Sequence, residues 1–213
     1  MRPVKTKPAK KLPAKKQPAK EESSESESAP AILTIAVIGA GADGRAIASA
    51  LAQAGYRTIL EDILPGSLRQ AQAAIRQHLD TVAVKDGAGR ESANAAFARI
   101  EYALTVEQAA READLVIECV PDEMESKLEI FTLLDKVCRP HTMLACTTST
   151  LSVSDVASVT YRAERCAGLH FSQNCMAIVR GLLTSDETMN IFAEMGRRIG
   201  VRTEERTDAE AQV

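Results

Sequence analysis

Three segments of the chain carry side chains suited to acid–base work. Asp114-Leu-Val-Ile-Glu-Cys-Val-Pro-Asp122 is followed by Lys127, Leu144-Ala-Cys-Thr-Thr-Ser149-Thr-Leu-Ser supplies hydroxyls, and Gly168-Leu-His170-Phe-Ser-Gln173-Asn174 supplies an imidazole. Each begins as an apolar run and ends in polar residues. Each therefore lands at a strand end, where open α/β sheets bind their ligands. An acid with a lysine, a pair of hydroxyls and a histidine form a polar cluster that can move a proton, histidine being the usual base near neutral pH. The same residues also have structural readings: His170 packed against a sheet, Ser149 and Thr148 as helix caps, Lys127 as a solvated helix residue.

What such a cluster would act beside is written near the start. Ile32-Leu-Thr-Ile-Ala-Val-Ile runs straight into Gly39-x-Gly41-x-x-Gly44, then into the helical pattern RAIASALAQAG, then into a second strand ending in Glu61-Asp62. This is the sequence form of a dinucleotide-binding βαβ unit. Gly39 allows the tight turn, Gly41 lets the backbone approach a pyrophosphate, and Gly44 lets helix and strand pack closely. The helix starting near Asp43 presents free N–H groups and its positive dipole end to the phosphates. Asp62, 18 residues beyond Gly44, can accept hydrogen bonds from ribose hydroxyls and repel a 2′-phosphate, which favours NAD over NADP. A glycine-rich turn in an unrelated α/β protein is the competing reading.

These residues need a scaffold, and the rest of the chain supplies one. Of 213 residues, 45% are hydrophobic but only 3% aromatic, so the core is built from Ala, Val, Ile and Leu. Strands are expected at about 32–38, 57–61, 115–120, 142–147, 166–171 and 177–183, with helices at about 43–54, 66–84, 91–98, 106–111, 123–137, 152–159 and 186–199. The alternation predicts a Rossmann-like, doubly wound, mostly parallel α/β sheet, with 66–98 inserted as a helical hairpin. Residues 1–30 differ: the first 20 hold 8 Lys/Arg and no acid, Pro recurs at 3, 8, 13 and 18, and EESSESES follows. That segment is expected to be a disordered tail, either a solubilising arm or one that touches nucleic acid. The folded body is expected over 31–207, with 208–213 as a short tail. Without residues 1–30, 18 basic and 25 acidic residues remain, so a nucleic-acid-binding core is not expected. No membrane span or metal-ligand spacing is seen. The five cysteines lack CxxC pairing, which suits reduced thiols in the cytoplasm.

The segments GAGADGRAIASALAQAGY, ADLVIECVPDEMESKLEIF, ACTTSTLSVSDVAS and GLHFSQN resemble, in order and spacing, the NAD-binding domain of 3-hydroxyacyl-CoA dehydrogenases. TSDETMNIFAEMGRRIG resembles the helix that closes that domain. The resemblance implies NAD-dependent oxidation of an (S)-3-hydroxyacyl-CoA in fatty-acid metabolism. It gives His170 the role of general base and Ser149 a contact to the substrate hydroxyl or nicotinamide. Gly39, Gly41, Asp43, Gly44, Asp62, Val120, Pro121, Asp122, Lys127 and Gln173 would line the cofactor, and the 66–98 hairpin would meet the CoA.

The chain also departs from the family. The glutamate expected twelve residues after the histidine falls on Leu182. Gln173 and Asn174 replace Asn and Pro, and Thr147 replaces an Asn. Asp43 stands where an apolar residue is usual. A carboxylate about 5 Å from a phosphate costs about 3 kcal/mol at an effective dielectric near 20, unless it points to solvent or caps its helix. The family's second, helical domain has no counterpart before Val213. Three readings follow: an enzyme that is weak alone or completed by a helical partner chain or homo-oligomer, an NAD- or acyl-CoA-binding protein without turnover, and an interaction protein acting through its basic arm.

Overall fold

The structure, a computed structural model, describes residues 32–172 and 175–211. The predicted tail over 1–30 lies outside these residues, as does Gln173. The apolar run Thr34–Ile38 forms β1, buried along its whole length, as expected of a strand covered on both faces. Helix α1 (Ala42–Gln53) and strand β2 (Arg57–Glu61) complete the first crossover. The hairpin follows as α2 (Pro65–Lys85) and α3 (Gly89–Phe97), with Pro65 in the first turn of α2. Then come β3 (Ile100–Ala103), α4 (Val106–Ala110), β4 (Leu115–Glu118), α5 (Met124–Val137), β5 (Met143–Thr147) and α6 (Val153–Ala157). A 3-10 turn (Ala163–Arg165) leads into β6 (Cys166–Ser172), and β7 (Cys175–Arg180), α7 (Asp186–Arg198), β8 (Arg202–Thr207) and α8 (Asp208–Ala211) close the chain.

The sheet runs β3-β2-β1-β4-β5-β6-β7-β8. Every pairing is parallel except β6 with β7. The order turns around between β1 and β4, the switch point at which a crevice opens above such a sheet. One apolar layer packs residues of α1, α2, α3 and α7 against the sheet. The other packs α4, α5 and α6 against its opposite face. The expected Rossmann-like architecture with its helical hairpin is the one observed.

Two strands escaped the sequence reading. β3 buries only Ile100 and Ala103, and β8 reads Arg-Thr-Glu-Glu-Arg-Thr. Both are sheet edges, where charge on the strand is tolerated and the period-two signal fades. β7 ends at Arg180 rather than reaching 183. Gly181 turns the chain there, its N–H donating to Thr184 Oγ1 at 2.9 Å.

The body also extends past residue 207. Asp208 accepts from the N–H groups of Val153 and Ser154 at 2.7 and 2.9 Å and from Ser152 Oγ at 3.0 Å. It thus serves the amides at the start of α6 from beyond the expected boundary at 207. Burial raises its pKa, but the hydrogen bonds from Ser154, Val153 and Ser152 outweigh this and hold the carboxyl below its usual value. Asp208→Ala is expected to cost about 1–2 kcal/mol of stability at neutral pH, measured by urea unfolding. The deficit should shrink in acid, because the wild-type carboxyl loses the same bonds when protonated.

Candidate functional site

The crevice above the switch point is a cleft of about 1220 Å³. That exceeds the range of roughly 300–1,000 Å³ usual for small-ligand pockets and suits a dinucleotide. Its central wall is the β1–α1 bend. Gly39 has φ +103°, and a Cβ there would lie 2.8 Å from the Cys119 carbonyl oxygen. A Cβ on Gly44 would lie 1.9 Å from the Gly39 oxygen, so strand and helix touch here only through glycine. At Gly41 nothing comes within 4 Å of a built Cβ, and the bend is open to the cleft. The Gly39 N–H is taken by the Glu61 carbonyl at 2.9 Å, and the Ala40 N–H by Asp62 Oδ2 at 3.1 Å. The first α1 bond inside the chain is Arg45 N–H to the Gly41 oxygen, so the amides from Gly41 to Gly44 point free of main-chain acceptors. An anionic diphosphate fits those donors and the helix dipole.

Asp62 sits at the cleft edge and also accepts from the Leu64 N–H at 2.9 Å. With two main-chain N–H groups bound, a carboxylate keeps lone pairs for ribose hydroxyls. Asp43 lies in the first turn of α1, exposed and lining the cleft. Gly41 is the N-cap and no side chain caps the helix, so the capping alternative for Asp43 is not realised.

Val120, Pro121 and Asp122 form the lip beyond β4. Asp122 Oδ2 accepts from Ser149, from its N–H at 3.2 Å and its hydroxyl at 3.4 Å, joining this lip to the one beyond β5. Lys127, predicted along the cofactor, is instead fully buried and does not line the cleft. Its ammonium reaches Glu118 Oε1 and Oε2 at 2.9 and 3.0 Å and the Thr147 carbonyl at 2.8 Å. Glu118 Oε1 in turn accepts from the Val120 N–H at 2.6 Å. Burial pushes the Glu118 carboxyl up, and the Lys127 ammonium pulls it back. The pair ties the ends of β4 and β5 together, so Lys127 shapes both lips from beneath. Thr148 Oγ1 accepts from the Leu151 N–H at 2.9 Å and holds the turn, while Ser152 caps α6.

His170, half-buried on β6, lines the far end of the cleft with Thr147, Thr148 and Ser149. The structure therefore gathers every sequence-predicted residue except Gly44, Lys127 and the undescribed Gln173 around one cleft. The histidine's partner position requires a correction. Register pairs His170 with Ala177 and Ser172 with Cys175, so two residues separate the strands. A count of twelve overshoots to Leu182, which lies beyond β7 and is 86% exposed. The side chain beside the imidazole is the methyl of Ala177. On the next strand Glu204 is in register with Ala177, but its carboxylate engages Arg206.

Sequence reasoning noted Glu61 as the end of a strand and assigned it no role. It is 5% exposed yet lines the cleft. Burial, then the neighbouring Asp62, pushes its carboxyl up to about 7. The signal was present: two acids in succession, one of them at an inward-facing strand position.

Residues 34–204 match the family model described as 3-hydroxyacyl-CoA dehydrogenase, NAD binding domain. The chain is 33% identical over 174 residues to a probable 3-hydroxybutyryl-CoA dehydrogenase of Bacillus subtilis, covering 79% of this chain and 60% of that protein. It is 30% identical over 176 residues to the mitochondrial hydroxyacyl-coenzyme A dehydrogenase of Sus scrofa, covering 78% and 56%. Its fold is similar to the (S)-3-hydroxybutyryl-CoA dehydrogenase of Ralstonia eutropha, with a TM-score of 0.80 at 27% identity, covering 83% of this chain and 64% of that one. The chain thus spans about 60% of the length of the curated relatives it matches.

Removing the lysine alone should strand a buried carboxylate. Lys127→Met is expected to cost about 3–5 kcal/mol by chemical denaturation. The double variant Glu118→Gln/Lys127→Met should recover most of that loss, because neither charge remains unpaired.

Proposed function

The chain belongs to the 3-hydroxyacyl-CoA dehydrogenase family through its NAD-binding domain, and on that premise we propose that it binds NAD and serves the oxidation of an (S)-3-hydroxyacyl-CoA to the 3-oxoacyl-CoA. The observation that carries this reading is the open β1–α1 bend at one part of a cleft whose far end holds His170. Free amides from Gly41 to Gly44 would hold the diphosphate, and Asp62 the adenosine ribose. Val120, Pro121 and Asp122 would line the cofactor's path. When bound, NAD supplies the hydride acceptor. His170 would take the proton of the 3-hydroxyl, and Ser149, held by Asp122, would orient that hydroxyl.

A second reading, binding with little turnover, is favoured by Ala177. β7 brings no carboxylate to orient the imidazole or steady its charged form. A helical partner chain or a second copy would add further walls to an acyl pocket. The basic tail would be its route to any nucleic acid. No described helix is long and apolar enough to cross a membrane, and the five cysteines are free, which suits a reducing compartment such as the cytoplasm.

Titration of the full chain with NADH, followed by calorimetry, is expected to saturate in the micromolar range typical of cofactor sites. No saturation up to about 1 mM would overturn NAD binding. Acetoacetyl-CoA reduction should be slow and should fall about 100-fold or more in His170→Ala.

Restoring the missing partner is a separate test. Ala177→Glu is expected to raise turnover about tenfold at some cost in stability, whereas Leu182→Glu should leave turnover unchanged. The reverse order would show that the register does not describe the working site.

A further inference from the structure

The cleft runs along the strand ends, from β6 with His170, past the β1–α1 bend, to the mouth between β2 and β3. The lining of the cleft includes the apolar Ile63 after β2, Leu104 and Val106 after β3, and Ile130 and Leu133 of α5, and Glu61 at the end of β2 lines it as well. In register, Glu61 lies between Ile38 of β1 and Ala103 of β3. It is 5% exposed, yet its carboxyl oxygens are not among the described side-chain atoms shut away from solvent without a partner, so they remain reachable from the cleft and open to a ligand's polar atoms.

The surroundings decide which form it takes. Asp62 follows it, Asp43 faces the same cleft from α1, and Glu107 from α4. Glu118 on β4 is closed on Lys127 of α5, and Arg57 on its own strand is closed on Glu101 of β3. Among the described residues no Lys or Arg lines the cleft, and a diphosphate would bring further negative charge. Burial and, after it, the adjacent Asp62 favour the neutral acid and push the carboxyl up to about 7.

A neutral carboxyl presents one acceptor beside one donor. That is the pattern with which Asn and Gln amides pair with adenine, accepting from its exocyclic amine and donating to a ring nitrogen. An apolar slot with this pattern inside it suits a flat purine. We propose that Glu61 recognises the adenine of the cofactor, as a neutral acid that accepts from the N6 amine and donates to N7. The inference rests on the NAD reading above and adds a residue that selects the base. On that edge hypoxanthine presents two acceptors, O6 and N7, so one of them would face the carboxyl's own acceptor and the base is disfavoured.

Calorimetric titration of the full chain with NADH and with reduced nicotinamide hypoxanthine dinucleotide tests this. At about pH 6 the wild type should prefer NADH by about 10- to 100-fold. Only the protonated carboxyl donates, so NADH affinity should fall as pH rises through about 7, by up to about tenfold per unit. Binding at about pH 8 should take up a proton, read as a heat that varies with the buffer's ionisation enthalpy. Glu61→Gln keeps the donor and acceptor, so it should keep the preference with a flat pH profile and no proton uptake. Glu61→Leu, volume-conserving and checked by circular dichroism, should lose the preference. If NADH binds the wild type with an affinity flat or rising with pH, or if Glu61→Leu keeps the preference, the assignment of Glu61 fails while NAD binding stands. If neither dinucleotide binds the wild type, both fall together.

Discussion

Gly44 lies so close to Gly39 that one carbon between them is too many. A Cβ on Gly44 would sit 1.9 Å from the Gly39 carbonyl oxygen, well inside any van der Waals contact. This contact sets the angle at which α1 leaves β1, and so where its free N–H groups point. Gly39 is fixed from the other side, by φ +103° and by the Cys119 carbonyl. That carbonyl belongs to the segment following β4, so the bend is locked to the neighbouring strand end. The Gly39 and Ala40 amides are spent on Glu61 and Asp62, which docks β2 against the bend. The amides left over are those that face the cleft. Position and availability thus come from one set of contacts.

The electrostatics of the cleft follow from this economy of donors. Asp43, Glu61, Asp62, Glu107 and Asp122 line it, and among the described residues no Lys or Arg does. Lys127 could have offered a cation but is consumed by Glu118. Attraction for a diphosphate must then come from backbone N–H groups and the α1 dipole, about half a unit charge. A second ionised carboxylate beside Asp62 would work against so small a charge. Burial, with Asp62 beside it, pushes the Glu61 carboxyl up to about 7, which weakens that opposition near neutrality and gives the neutral fraction a donor.

The first βαβ unit was legible because local rules suffice for it. A buried strand, a glycine turn and an amphipathic helix each leave a short-range pattern. β3 and β8 were not legible, because an edge strand borrows its order from its neighbour and carries charges of its own. Lys127 shows a different limit. Its spacing from Asp122 reads as a helix residue near the cofactor, and only the fold reveals that the side chain turns inward to Glu118. The histidine's partner failed for a third reason. Distance along the chain equals distance across a hairpin only when the connection length is known, and with two residues between β6 and β7 the opposite position is Ala177. The twelve-residue count put the glutamate's place at Leu182, whereas the register puts it at Ala177.

What the missing carboxylate takes away at His170 is direction. A hydrogen-bonded partner selects the tautomer and the ring angle, and the Ala177 methyl opposite it in register does neither. The shortfall at His170 is in this sense geometric. A geometric shortfall can be met from outside, by a ligand or a neighbouring chain that bonds the ring, without altering the charge of the cleft.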